Sequence, residues 1–105
     1  MSPASAVPVF AALGDETRLR LVQRLSSEGP GSIARLSEGS RLTRQAITKH
    51  LTVLSRAGLV RDRRRGRERI WKLENRRLVE ARACLDRISA QWDDALGRLK
   101  DYVDG

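Results

Sequence analysis

The hydrophobic periodicity of this sequence changes at Ala57-Gly58, and that change limits what the chain can fold into. Upstream, Ile47, Leu51 and Leu54 recur at spacings of four and three, the period of a helix buried along one side. Thr43 has the chemistry of an N-cap for this helix, and Ala57-Gly58 ends it, which predicts a helix over 43–57. Downstream, 59–64 and 68–73 read as two strands turned by Arg65-Gly66-Arg67. On the second strand Trp71 and Leu73 share one face, while Glu68 and Lys72 take the other. The helical period then returns. Leu78, Leu85, Ile88, Trp92, Leu96, Leu99 and Val103 form a seam along a helix over 78–103, with Asn75 available as its cap.

The segment before this switch is helical as well. Val9 to Leu13 form a short apolar stretch that Gly14 ends. Asp15 follows as an N-cap, with Arg18 where a capping box would place glutamate. Leu19, Leu21, Val22 and Leu25 make a helical stripe, stopped by the run Glu28-Gly29-Pro30-Gly31. A short helix is expected over 32–40, with Ile33 and Leu36 inward and Ser37 as a small contact residue. The turn Arg41-Leu42 leads into the next helix. Residues 1–7 are small and proline-containing and are expected to be mobile. The 105 residues suffice for one domain with a modest core, placed at 8–105: mainly α, with a small β-hairpin.

Charge points to the partner. Lys and Arg number 21 against 13 acidic residues, for a formal net charge of +8. The surplus is local: 61–77 holds nine basic and three acidic residues, whereas 78–105 holds four basic and six acidic. A localised surplus is the footprint of a polyanion, and nucleic acid is the expected one. No apolar run is long enough to span a membrane, and the first residues lack the basic start and apolar stretch of a secretory leader. No membrane partner is therefore expected, and a cytoplasmic location is. The single cysteine, Cys84, rules out an internal disulfide and fits a reducing compartment.

Two short helices, a tight turn and a basic hairpin occur in the order of a helix-turn-helix followed by a wing. A helix that reads DNA must present polar and basic side chains from its first turns, where base edges come within reach. Between Thr43 and Arg56 the outward residues are Arg44, Gln45, Thr48, Lys49, Thr52, Ser55 and Arg56. Arg63, Arg64, Arg65, Arg67 and Arg69 crowd around Gly66. Five guanidinium groups at a hairpin repel one another unless an anion compensates them, as phosphates or a narrow minor groove would. The candidate DNA contacts are thus Arg41, Thr43, Arg44, Gln45, Thr48, Lys49 and Thr52 with the wing residues Arg63, Arg64, Arg65 and Arg67. The long seam exceeds what a domain of this size needs for its own core, so Leu78, Leu85, Ile88, Trp92, Leu96 and Leu99, with Phe10 and Leu13 beside them, are the candidate dimer interface.

Phe10-Ala-Ala-Leu-Gly-Asp-Glu-Thr-Arg-Leu-Arg-Leu-Val22, Leu42-Thr-Arg-Gln-Ala-Ile-Thr-Lys-His-Leu-Thr-Val-Leu54 and Ala57-Gly-Leu-Val60 resemble the ArsR/SmtB family of bacterial winged-helix repressors. The resemblance covers about 8–103, and its middle segment, with the pair His50-Leu51, is the most specific part. It implies a winged helix-turn-helix, a homodimer joined through the first and last helices, and repression from a palindromic operator. It does not carry over metal sensing. Where founding members hold a cysteine pair, this chain reads Ser32-Ile-Ala-Arg-Leu-Ser37, and its last helix contains no histidine. Cys84 and His50 are the only soft donors, too few to close a zinc or arsenic site. No metal and no cofactor is expected. His50 is read as a packing residue or phosphate contact, and Cys84 as a structural residue. No catalytic constellation is evident and no enzyme activity is expected. Two alternatives to a sequence-specific repressor are a protein-interaction module, whose basic surface is incidental, and an architectural DNA-binding protein without sequence preference. Neither an operator nor an effector is legible.

Overall fold

The computed structural model describes residues 3–105. Its elements are α1 (Pro3–Leu13), α2 (Glu16–Glu28), β1 (Gly31–Ser32), α3 (Ile33–Leu36), α4 (Arg44–Arg56), β2 (Val60–Arg65), β3 (Glu68–Leu73) and α5 (Asn75–Asp104). The result is a mainly helical winged helix-turn-helix with one antiparallel sheet in the order β1-β3-β2.

The core lies where α2, α4 and the inner face of the sheet meet. Leu21, Val22 and Leu25 of α2 cluster with Ile47, Leu51 and Leu54 of α4, and Leu36, Leu59, Val60 and Trp71, with Val9 and Ala12 of α1 and Ala81 of α5, complete the cluster. Leu51, Leu54 and Leu59 have no exposed surface at all, and each such side chain contributes roughly 1.5–3 kcal/mol by leaving water. Leu19 departs from the expected stripe and is exposed. At about 100° per residue it stands more than a quarter turn from the line through Leu21, Val22 and Leu25.

Four local features differ from the reading of the sequence. The first concerns the segment expected to be mobile. Residues 3–7 belong to α1, and Met1 and Ser2 lie outside the described residues. Ala6, Val9 and Ala12, three apart, are buried on one side of α1, and that burial holds a helix despite Pro8, which offers no N–H. The second is α3, which stops at Leu36 rather than near Ser40. The Ser37 hydroxyl donates to the carbonyls of Ile33 (2.8 Å) and Ala34 (3.1 Å), so it competes with the helix ladder at that end. The third is β1, two residues that pair antiparallel with β3 through Gly31↔Trp71 and Ser32↔Ile70. The fourth is the start of α5: Asn75 is its first residue and Glu74 holds the cap position without a side-chain cap bond. The Glu74 N–H still donates to Leu59 O (2.8 Å), which ties this residue to the sheet side of the junction.

α5 is 30 residues long, about 45 Å at 1.5 Å per residue. Only its beginning packs on the body: Ala81 is buried and Leu78 is half-buried against the core. The remainder projects, so the molecule measures 67 × 27 × 21 Å.

Candidate nucleic-acid interface

The seat of α4 is built at the α1–α2 corner. Asp15 caps α2, its Oδ2 accepting from the Arg18 N–H at 3.0 Å. The Arg18 side chain does not reciprocate as a capping-box glutamate would. It turns to the end of α1, where Nε donates to Ala12 O (2.7 Å) and Nη2 to Ala11 O (3.4 Å), satisfying carbonyls that a helix end leaves bare. His50 of α4 meets this corner, with Nδ1 3.5 Å from Arg18 Nη1 and 3.8 Å from Asp15 Oδ2. The backbone N–H of Arg18, followed by the Arg18 guanidinium charge, holds the Asp15 carboxyl below its ordinary range against the opposing effect of burial. His50 therefore serves to dock α4 on the α1–α2 corner.

A second clamp fixes the helix-turn-helix bend. Arg24 of α2 donates to Leu36 O (3.2 Å) and Glu38 O (3.1 Å), and its Nε donates to Glu28 Oε2 (2.7 Å). The last carbonyl of α3, at Leu36, and that of Glu38 in the bend beyond it are thereby satisfied by a residue twelve and fourteen positions earlier in the chain. Nothing in the periodicity of α2 signals this role for Arg24.

On α4 the buried line is Ile47, Leu51 and Leu54. The opposite face carries Gln45, Lys49 and Arg56, all exposed, with Thr52 half-buried among them. Arg44 is exposed on the first turn and Thr48 is half-buried. Their hydroxyl chemistry is partly committed. Thr43 Oγ1 accepts from the Ala46 N–H (3.1 Å) as the N-cap of α4. Thr48 and Thr52 donate their hydroxyl hydrogens to the carbonyls of Arg44 (2.8 Å) and Thr48 (2.9 Å). Thr43 thus acts on the helix, while Arg44, Gln45 and Lys49 remain available with their full donor sets. Val53, an apolar side chain outside the buried line, is exposed on the same helix.

The wing separates its charges by face. Antiparallel register pairs Asp62 with Trp71 and Arg64 with Arg69 on one face, and Arg61 with Lys72, Arg63 with Ile70 and Arg65 with Glu68 on the other. Arg69 is not a free tip charge: its Nε and Nη2 both reach Asp62 Oδ2 at 2.8 Å, and its guanidinium lies 5.6 Å over the Trp71 ring. Arg61 meets Glu74 at 3.5 Å, and Arg76 and Arg77 both meet Glu80. Arg63, Arg64, Arg65, Arg67 and Lys72 make no ion pair among the described residues, and neither do Arg41, Arg44 and Lys49. The hairpin turn is Gly66-Arg67 between the paired Arg65 and Glu68. Gly66 takes φ +62°, the left-handed conformation that glycine adopts at least cost in such a turn.

The candidate dimer residues fall into two sets. Phe10, Leu13 and Leu78 are half-buried against the chain's own core. Leu85, Ile88, Trp92, Leu96 and Leu99 share one face of projecting α5 and are 45–64 % exposed. Cys84 is half-buried beside the root of that ridge. Among the described residues no group of three or more His, Cys, Asp or Glu is placed to hold a metal ion. No helix of the described residues is long and apolar enough to cross a membrane.

Comparison with known proteins agrees with this architecture. A helix-turn-helix domain family matches residues 13–63. An HTH-type transcriptional regulator of Mycobacterium tuberculosis is 37% identical over 95 residues, which cover 90% of this chain and 85% of that protein. The arsenic resistance transcriptional regulator ArsR1 of Pseudomonas putida is 31% identical over 96 residues, covering 91% of this chain and 64% of that one. The ArsR-like transcriptional regulator from Rhodococcus sp. RHA1 superposes with a TM-score of 0.78 at 37% identity, covering 93% of this chain and 92% of the other. With the helix-turn-helix, the wing and the long last helix arranged as in these proteins, the chain belongs to the ArsR family of winged helix-turn-helix transcriptional regulators.

Proposed function

We propose that this protein is a homodimeric, DNA-binding repressor that recognises an inverted-repeat operator in the cytoplasm, without metal control and without enzymatic activity. The observation that carries the reading is a set of unpaired cations on α4, the turn before it and the wing: Arg41, Arg44, Lys49, Arg63, Arg64, Arg65 and Arg67 lack ion-pair partners among the described residues, and Gln45 is exposed next to Arg44. Arg44 and Gln45, on the first turn of α4, have the fork and amide geometry that reads guanine and adenine edges in the major groove. The wing arginines supply phosphate contacts, which fix register and carry no sequence information. The exposed ridge of α5 supports the dimer, since a second copy would remove it from water. Two α4 helices related by a dyad would then meet successive major grooves about 34–36 Å apart.

Binding of wild type, Arg44→Ala, Gln45→Ala and Arg65→Ala to an upstream operator and to random duplexes, over a salt series, tests the assignment. Arg44→Ala and Gln45→Ala are expected to cost about 1–3 kcal/mol on the operator and much less on random DNA. Arg65→Ala is expected to weaken both DNAs alike and to reduce the salt slope by about one. Equal affinity of wild type for operator and random DNA would remove the sequence-specific reading. Loss of operator binding on adding stoichiometric zinc or arsenite would remove metal independence.

A further inference from the structure

The outer face of the wing carries a groove that the tip arginines alone do not explain. Pro30, Arg63, Arg64, Arg65, Ile70 and Lys72 line a hollow of about 430 Å³. Its floor is apolar: Ile70 is half-buried although it points away from the Trp71 side of β3, and Pro30 precedes β1 beside it. Its rim is cationic. Arg63 lies directly across from Ile70, Arg65 is one step further toward the turn on the same face, and Lys72 lies one step toward the body. Arg63, Arg65 and Lys72 make no ion pair among the described residues; of the acids near them, Glu68 sits at the turn opposite Arg65, and Glu74 is held by Arg61, the cross-strand partner of Lys72. Same-face neighbours along a strand and on the diagonal are about 7–8 Å apart. Three like charges at that spacing around an apolar floor form a track for an extended anion with apolar edges. A sugar–phosphate strand has that chemistry.

We propose that one strand of the DNA backbone lies along this outer face, with phosphates on Arg63, Arg65 and Lys72 and a deoxyribose edge over Ile70 and Pro30. The inference rests on the DNA-binding reading above and refines it: the wing engages DNA with one flat face as well as with its tip. Lys72 becomes a contact residue. Arg61 lies directly across from Lys72 but is taken up by Glu74 at 3.5 Å and does not line the hollow, so it carries the same charge a few ångströms away without lying on the track.

That neighbour is the control. Lys72→Ala and Arg61→Ala each remove one positive charge from the outer face of the wing, and only Lys72→Ala removes a contact. Affinity for a random duplex is measured across a salt series for wild type and both variants, with circular dichroism and melting curves to establish that each is folded. The expected result is that Lys72→Ala lowers the salt slope by about 0.9 and weakens binding roughly fivefold to tenfold near 0.1 M salt, while Arg61→Ala changes the slope by less than half as much. Lys72→Arg should restore the slope. Equal effects of the two variants, or an unchanged slope for Lys72→Ala beside a reduced one for Arg65→Ala, would overturn the outer-face track and leave the tip as the contact. Absence of DNA binding by the wild type would instead remove the DNA-binding reading itself. Inorganic phosphate or a mononucleotide that protects Lys72 from acetylation at micromolar concentration, where duplex DNA does not, would assign the groove to a small anion and also overturn the track.

Discussion

Two single residues decide how firmly α4 is presented. Thr43 is exposed, yet its oxygen is spent on the Ala46 N–H. Thr43→Ala is expected to lower stability by about 1 kcal/mol through the lost cap and to weaken operator binding as the turn bearing Arg44 and Gln45 frays. Thr43→Ser should restore both, as read from melting temperature and operator affinity. Asp15 is the second. Its carboxyl is held below the ordinary range chiefly by the Arg18 N–H. A depressed folded-state value means that its stabilisation is present above the unfolded carboxylate's range and fades as pH falls through the folded-state value. Asp15→Asn keeps an acceptor for the cap and removes the titration. The wild type's advantage in melting temperature over this variant is therefore expected at neutral pH and should fade as pH falls below the ordinary carboxylate range; an advantage that persists in acid would show that the charge is irrelevant.

At the scale of elements, the wing is a hairpin whose turn geometry and charge placement are independent. Gly66 holds φ +62° and nothing within 4 Å would meet an added Cβ. Gly66→Ala thus carries a conformational penalty alone, expected at about 1 kcal/mol, or roughly a 4–8 °C loss in melting temperature for a domain of this size. Gly66→Asn, which tolerates the left-handed region better, should lose less. The charge pattern of the same hairpin is only partly legible from its sequence. Five clustered arginines read as one exposed set, but antiparallel register puts Arg69 across from Arg64 and next to Asp62, where it is neutralised and lies over Trp71. The alternation of side chains along β3 places Lys72 with the unpaired group. Register is a property of two strands together, which is why each strand read alone shows neither the pairing of Arg69 with Asp62 nor the place of Lys72 beside Arg63.

At the scale of the whole molecule, the surface is too large for a compact monomer. The chain exposes 7900 Å² and has a radius of gyration of 18.0 Å, where a folded monomer of this mass and length has about 5900 Å² and about 13 Å. The excess exceeds the roughly 800 Å² per partner that a stable interface needs, and the apolar ridge of α5 is part of it. Trp92→Asp, or Leu96→Asp, is expected to shift the protein from dimer to monomer in sedimentation at micromolar concentration. Operator affinity should fall with it, because a monomer engages only one half-site. A monomeric wild type, or an Asp variant that stays dimeric, would place the interface elsewhere. Such a substitution leaves the Leu51–Leu54–Leu59 core untouched, so the folded body should persist as judged by circular dichroism.

Local chemistry in the sequence set the order of the long helices and the wing, the change from helical to strand period at Ala57-Gly58, the caps at Asp15 and Thr43, and the outward face of α4. Each follows from the chemistry of a few neighbouring residues, and local rules read them. The local rules erred where distant parts of the chain took over. Burial of Ala6, Val9 and Ala12 made a helix of a segment that reads as loose, and pairing with β3 made a strand of Gly31–Ser32. Tertiary structure alone decided that Arg18 and Arg24 bind carbonyls of α1 and the α3 bend, and that His50 docks α4 on Asp15 and Arg18. It also separated the arginines that are compensated from those left for an anion. An arginine looks the same in sequence whether or not a carboxylate lies 3 Å away, and only the packing of elements far apart in the chain brings that carboxylate near.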